Sequence, residues 1–333
     1  MDEFELIEAL RTRFTGTGGT TVPLVDIGDD AAVLPSDERP LVLSVDASVE
    51  GVHFEQRFAP AEDIGYRALM AAASDLAAMG ADAEAALLGL IIAAGAEPAW
   101  LLALADGVAA AASATGLRVV GGNVSRGART SLTTTVTGRL PLGSAGLRRT
   151  GARVGDDVYV SGHPGLAALG LAIIQGGARD AQGAEAQAAA RRAQDQAVAH
   201  WRRPHARLTL GAVLRQRATS AVDLSDGLLQ DLAHVAHASG VGVELEEDAL
   251  PMAAGFEDAC VALGMSAVDT VLSGGEDYEL AFTAPPELRD ELAEVAPTAV
   301  RVGAVVSLPG VRVLTHEKTP RALSGLAGFR HRW

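Results

Sequence analysis

Five times along this chain an apolar run is ended or interrupted by carboxylates set beside glycine or serine. They are Gly28-Asp29-Asp30, Ser44-Val45-Asp46, Ser74-Asp75-Leu76, Asp223-Leu224-Ser225-Asp226-Gly227 and Ser273-Gly274-Gly275-Glu276-Asp277-Tyr278. A carboxylate cannot be left unpartnered in an apolar interior. The fold must therefore bring these groups to turns, partners or ions. Backbone N–H groups and carboxylate oxygens at strand ends can together hold phosphate and its magnesium, so the pattern points to phosphate chemistry.

The excess of acid narrows the partners. A formal charge of −15 and a pI near 4.9 argue against the basic patch that nucleic acid or an anionic membrane surface requires. At 333 residues with 48% apolar content the chain can hold two ordinary domains, each with its own core. Cys260 is the single cysteine, in a helical pattern where it packs as a small hydrophobe. With no internal disulfide, an acidic N-terminus and a longest apolar stretch, Ala85 to Ala96, too short to span a bilayer, a reducing cytoplasm is expected.

Lysine usage removes whole enzyme classes. Lys318 is the single lysine, so a phosphate-cradling G-x-x-x-x-G-K-[ST] loop is absent, and neither a protein-kinase lysine nor a Schiff-base lysine is expected. Phosphate charge would fall to metal ions, backbone amides and arginine.

Periodicity predicts alternating strands and helices. In the first half, Val22 to Leu34 and Leu41 to Val45 read as strands, Ala61 to Met79 as a helix, Ala85 to Ala93 as a strand, and Pro98 to Thr115 as a helix. Leu117 to Val120 and Ser131 to Leu140 complete that half as strands. Pro141 to Gly155 is the candidate linker, giving domains at 1–142 and 150–333. The second half repeats the grammar: strands at 157–161, 220–224, 241–245, 278–283 and 299–306, with helices from about 165, 184 and 204 and at 226–238, 253–263 and 286–295. The segment 178–193 reads as a solvated helix without chemistry. The fold class is α/β (α+β), a mixed sheet with helices followed by an α/β domain.

Individual carboxylates divide by context. Asp226 could be a helix N-cap or first-turn acid, but Asp223 ends an apolar strand and needs a partner; with Ser225 the two form a compact group for a hard cation. Asp75 lies on an otherwise apolar helix face and must be paired or bound. Asp29 and Asp30 are adjacent, so one of them suffices as a ligand. Gly121-Gly122-Asn123 reads as a turn that could hold an anion, or as a plain glycine turn. His53 is compatible with a packed or a catalytic role.

In order and spacing these segments resemble the thiamine-monophosphate kinase family of the aminoimidazole-ribotide-synthetase-like superfamily. The residues that carry the resemblance are Gly28-Asp29-Asp30-Ala31-Ala32, Ser44-x-Asp46, Gly51-x-His53-Phe54, Ser74 to Ala81, Gly121-Gly122-Asn123, Asp223 to Leu228 and Ser273 to Leu280, covering nearly the whole chain. The resemblance implies a two-domain fold of that superfamily, a homodimer, and a site completed by both halves. It implies in-line transfer from ATP to thiamine monophosphate, giving thiamine diphosphate, with several Mg²⁺ ions and no covalent phosphoenzyme.

By the same resemblance the metal ligands are Asp30, Ser44, Val45, Asp46, Asp75, Asn123, Asp223 and Asp226, with Asp75, Asp223 and Asp226 central to transfer. Gly122, Asn123, Arg149 and Ser225 are ATP contacts; His53 and Glu276 face the thiamine phosphate, and Phe329 stacks on the thiamine ring. Three positions depart from the family pattern: Asn123 stands for Asp, Val45 for Thr and Ala72 for Asn. Asn123 keeps an oxygen but loses the charge, and Val45 offers only its carbonyl, so a weakened or rearranged metal site is expected near Asp46 and Asn123. A binding protein without turnover stays open on the strength of Asn123. A selenophosphate synthetase would carry an N-terminal Cys or Lys, and a hydrogenase-maturation relative a cysteine-bearing tail; neither pattern is found.

Overall fold

The protein is described from a computed structural model covering residues 3–19, 21–177 and 184–323. It divides into two compact units, Met1–Ala77 with Ala81–Ala145, and Ala78–Gly80 with Gly146–Trp333.

In the first unit, helix α1 (Glu3–Phe14) precedes strand β1 (Leu41–Val49), helix α2 (Ala61–Ala78), strand β2 (Asp82–Ala93), helix α3 (Pro98–Thr115) and strands β3 (Arg118–Gly127) and β4 (Ser131–Arg139). The four strands form one sheet in the order β1-β4-β2-β3, with β2 and β3 parallel and the other pairings antiparallel. A parallel pair needs a crossover, which α3 provides, starting at Pro98 and stopping at Gly116. One sheet face buries Ala86, Leu88, Leu90, Leu132 and Val136; the other leaves Leu43, Val45, Leu87 and Ile91 exposed. That alternation is what β-branched and leucine residues at period two produce.

In the second unit, strand β5 (Asp157–Ser161) leads into helix α4 (Leu166–Ala172), which widens into a π-turn to Gly177. Helices α5 (Ala184–Arg202) and α6 (Leu208–Leu214), strand β6 (Ser220–Asp223), helix α7 (Leu228–Ser239) and strand β7 (Gly242–Glu246) follow. Helices α8 (Phe256–Ala262) and α9 (Ala267–Ser273), strand β8 (Leu280–Ala284), helix α10 (Arg289–Val295) and strands β9 (Ala299–Val306) and β10 (Gly310–Leu314) complete it. Six strands form a mixed sheet, β10-β7-β9-β5-β8-β6. β5, β6 and β8 are buried along their whole length, their apolar centres flanked by buried polar residues such as Asp157, Ser161, Ser220 and Asp223. Val158, Val160, Val222, Leu228, Phe256, Ala281 and Val302 pack the core beneath them.

Several expectations are corrected. The segment 22–34 forms isolated bridges, Val25 with Val33 and Ile27 with Asp29, rather than a strand. Gly121-Gly122-Asn123 lies inside β3 and pairs with β2, not in a turn. α1, α9 and β10 went unread, the last two being short and the first masked by its acidic start. α5 is more than a solvated face, because Ala190, Ala193, Ala197 and Trp201 are buried. A second apolar segment passes unremarked in the sequence: α3, at 18 residues and interrupted by Asp106, is long and apolar enough to cross a bilayer by length and composition alone. It instead buries Leu101, Leu104, Ala105 and Val108 within its unit.

Candidate functional site

In the first unit, β1 is one of the sheet's two edge strands and brings Ser44 and Asp46 to one face, two residues apart. The Ser44 hydroxyl donates to Asp75 Oδ2 on α2, so the acid on the apolar helix has a strand partner. The Asp46 carboxylate turns back to accept from the Ala47 N–H at 2.7 Å. Val45 points to the opposite face and is 61% exposed; its side chain has no donor atom, leaving only its carbonyl. Beyond the strand, a turn at Gly51 delivers His53, whose Nδ1 accepts from the Val49 N–H at 3.1 Å. That acceptor role leaves Nε2 as the proton-bearing nitrogen of the neutral ring.

Asp30 is exposed, and its N–H donates to Asp29 Oδ1 at 2.8 Å. Register separates Asn123 from Asp46. Asn123 pairs with Gly89 in the row of Thr133 and Ala47, whereas Asp46 shares a row with Thr134, Leu88 and Gly122. Alternation puts the two side chains on opposite sheet faces, so the single weakened metal site expected around both is not assembled in this unit. Gly122 itself lies so close to β2 that a Cβ would meet the Leu88 carbonyl.

In the second unit, the two acidic motifs are stitched together by main-chain hydrogen bonds. Glu276 N–H donates to the Ser225 carbonyl at 2.8 Å, Tyr278 N–H to Leu224 at 2.9 Å, and Leu224 N–H to Glu279 at 2.8 Å. Glu276 and Tyr278 both take positive φ, 65° and 52°, without being glycine. Such strain persists only where surroundings over-determine it. Between them Asp277 is fully buried and accepts from the N–H groups of Gly165 and Ala167 at 2.6 and 2.9 Å. Glu279 is held by Ser161 and by the two-pronged guanidinium of Arg207. Trp201 on α5 donates its indole N–H to Glu276 Oε2 at 3.2 Å.

Asp223 is buried at the end of β6, and Asp226 stands before α7 rather than capping it, because Gly227 is the N-cap residue. Gln230 donates to Asp226 Oδ2 at 2.8 Å. Asp231, which the sequence reading missed, is buried and sends Oδ2 back to three successive N–H groups, those of Ser225 and Asp226 at 3.1 Å and Gly227 at 3.0 Å. Burial, and then the charges of Asp223 and Asp226, push its carboxyl up to about 7 against the pull of the Gly227 and Asp226 N–H groups. Asp226, Asp231 and His234 also bring ligand atoms within 4.8 Å of one another. The spacing of an acid in the first turn after a glycine cap is the signal that could have found Asp231. Arg149 is exposed, its carbonyl accepting from the Ser239 hydroxyl at 3.1 Å. Phe329 lies outside the described residues.

Chemically, both units present hard oxygen donors, namely carboxylates and a hydroxyl, which suit magnesium rather than a soft metal. Lys318 is engaged with Glu246 at 2.7 Å, away from either set of motifs in sequence.

Residues 28–140 match the N-terminal domain, and residues 153–315 the C-terminal domain, of AIR synthase related protein. The chain is 40% identical over 275 residues to a thiamine-monophosphate kinase of Salmonella typhimurium, covering 81% of this chain and 79% of that protein. It is similar to the crystal structure of a thiamine-monophosphate kinase from Stenotrophomonas maltophilia, with a TM-score of 0.79 at 37% identity over 94% of this chain and 96% of the other. It is also similar to AaThiL complexed with AMPPCP and TMP, with a TM-score of 0.75 at 27% identity over 99% and 97% of the two chains.

Proposed function

The chain belongs to the thiamine-monophosphate kinase family, and we infer that it transfers the terminal phosphoryl group of ATP to thiamine monophosphate, giving thiamine diphosphate and ADP. The observation that carries this reading is the 40% identity to a thiamine-monophosphate kinase across 81% of the chain. The solved relative in complex with AMPPCP and TMP supports the same pair of reactants.

Magnesium is assigned to Asp30, Ser44, Asp46, Asp75, Asp223 and Asp226, with the Val45 carbonyl and the Asn123 amide oxygen as neutral donors. When bound, it neutralises phosphate charge and aligns donor and acceptor oxygens. Asp75, Asp223 and Asp226 are the carboxylates on which transfer depends. Asp75 is oriented by Ser44 and Asp226 by Gln230. The acceptor phosphate is already ionised, so no side chain need act as a strong base, and transfer is direct, without a phosphoenzyme.

Ser225, Gly122, Asn123 and Arg149 are assigned to ATP. His53, Glu276 and Phe329 are assigned to thiamine monophosphate. Glu276 is supported in that role by its strained, over-determined backbone and its Trp201 partner. Residues 1–142 supply nucleotide, metal and dimer contacts, and residues 150–333 the remaining ligands. A homodimer is favoured by the apolar sheet face of Leu43, Val45, Leu87 and Ile91. A cytoplasmic location suits ATP chemistry and a lone buried thiol.

Asn123 favours a second reading, binding of thiamine phosphate without turnover. Steady-state formation of thiamine diphosphate by the native chain beside Asn123→Asp distinguishes them. Native turnover supports the kinase; a silent native chain rescued by Asn123→Asp supports the binding protein.

A further inference from the structure

An acid in the first turn of a helix ordinarily satisfies N–H groups of that same helix. Asp231 does something different. Two of its three donors, Ser225 and Asp226, precede the helix and belong to the loop that follows Asp223 at the end of β6 and carries the carboxylate of Asp226. The three N–H groups converge on one oxygen, Oδ2, of a side chain that is 2% exposed. Successive amides turned inward in this way form an anion-holding concavity, and here the chain fills it with its own carboxylate. Those amides are therefore spent within the protein, which leaves the loop's outward chemistry to carboxylates.

The return path closes the arrangement. Asp231 N–H donates to the Gly227 carbonyl at 3.0 Å, while its side chain grips the Gly227 N–H. Gly227 takes φ of +120°, and a Cβ there would meet the Ser273 carbonyl at 2.8 Å. The loop is thus fixed in one conformation from both sides. One residue earlier on α7, Gln230 fixes the Asp226 carboxylate itself.

We propose that Asp231 is a positioning residue that sets the affinity of the Asp223–Asp226 loop for a divalent cation by holding the loop's three amides inward. The inference rests on the assignment of Asp223 and Asp226 as metal ligands. Partners behind the ligands of a metal site change its affinity by about 10–100-fold when removed.

The test uses the full chain, with Mn²⁺ alone titrated against protein and the free ion followed by electron paramagnetic resonance, and with the Mg²⁺ activation constant measured beside it. Asp231→Asn keeps an acceptor oxygen for the amides but loses the charge; Asp231→Leu has similar size, no charge and no acceptor. The expected result is cation affinity about tenfold weaker in Asp231→Leu, with Asp231→Asn restoring most of it. Equal losses in both variants would mean that charge alone matters, and overturn the proposal. Native affinity in Asp231→Leu with only a lowered melting temperature would reduce Asp231 to a structural cap, and also overturn it. If Asp231→Leu does not fold, Asp231→Ser, too short to reach the amides, replaces it under the same criteria. Asp226→Asn serves as the control. Undiminished binding in that variant sinks the ligand assignment itself, and the proposal with it.

Discussion

The Glu276 N–H donates to the Ser225 carbonyl at 2.8 Å, tying the loop of the second acidic motif to the loop of the first although they lie about fifty residues apart in sequence. Gly275 makes the approach possible, since a Cβ there would stand 2.6 Å from the same carbonyl. Two acidic loops held this way act as one rigid platform in the second unit.

Asp223 ends β6 in a buried position, and its carboxylate is expected to matter through charge rather than packing. Asp223→Asn, and independently Asp75→Asn, should lower turnover about 10³-fold, since metal-held charge stabilisation is worth several kcal/mol. Circular dichroism should show a native fold in both. Turnover equal to native in either variant removes that residue from the mechanism.

Gly122 backs against the Leu88 carbonyl within the parallel pair of β2 and β3. Gly122→Ala should therefore cost about 1–3 kcal/mol, the range for forcing atoms into a packed region. Chemical denaturation measures this directly, and an unchanged midpoint would show that the pair can part without penalty.

Much of the fold and of the candidate site was legible in the sequence, and the reasons differ by residue. The strand at 299–306 and the helix at 98–115 were readable because apolar period and boundary residues agree there. The trio Gly121-Gly122-Asn123 was misread because paired glycines signal a turn, whereas here they permit close approach of two strands. Ser44 and Asp75 were each singled out, but their hydrogen bond depends on how α2 packs on the sheet, which no local pattern states. Asp231 and Trp201 escaped because each looks like an ordinary helix residue until the loop it holds is seen.

Asp157 gives a pH dependence with a definite sign. Its burial opposes ionisation, yet hydrogen bonds and charge from Arg289 and Arg301 outweigh that cost and hold its carboxyl below the usual range. A depressed carboxylate contributes stability above its unfolded pKa, about 3.9, and loses it as pH falls through the folded value. The melting temperature of native protein should exceed that of Asp157→Asn most clearly near neutrality, with the gap shrinking in acid. A gap independent of pH would assign the effect to packing.

Cys260 is fully buried on α8, and burial pushes its thiol up to about 11. The thiolate is the reactive form. A maleimide should leave the folded chain unlabelled at mild alkaline pH and label it to one equivalent once denaturant is added. Rapid labelling of the folded chain would show that the helix opens locally.

The most direct test of the account is a ³¹P nuclear magnetic resonance time course of the purified chain with ATP, thiamine monophosphate and Mg²⁺. The account predicts that the thiamine monophosphate resonance is replaced by the paired resonances of thiamine diphosphate, matched one for one by ADP, and that chelation of the metal stops both. ADP appearing with free phosphate instead, or thiamine monophosphate persisting unchanged, would contradict it.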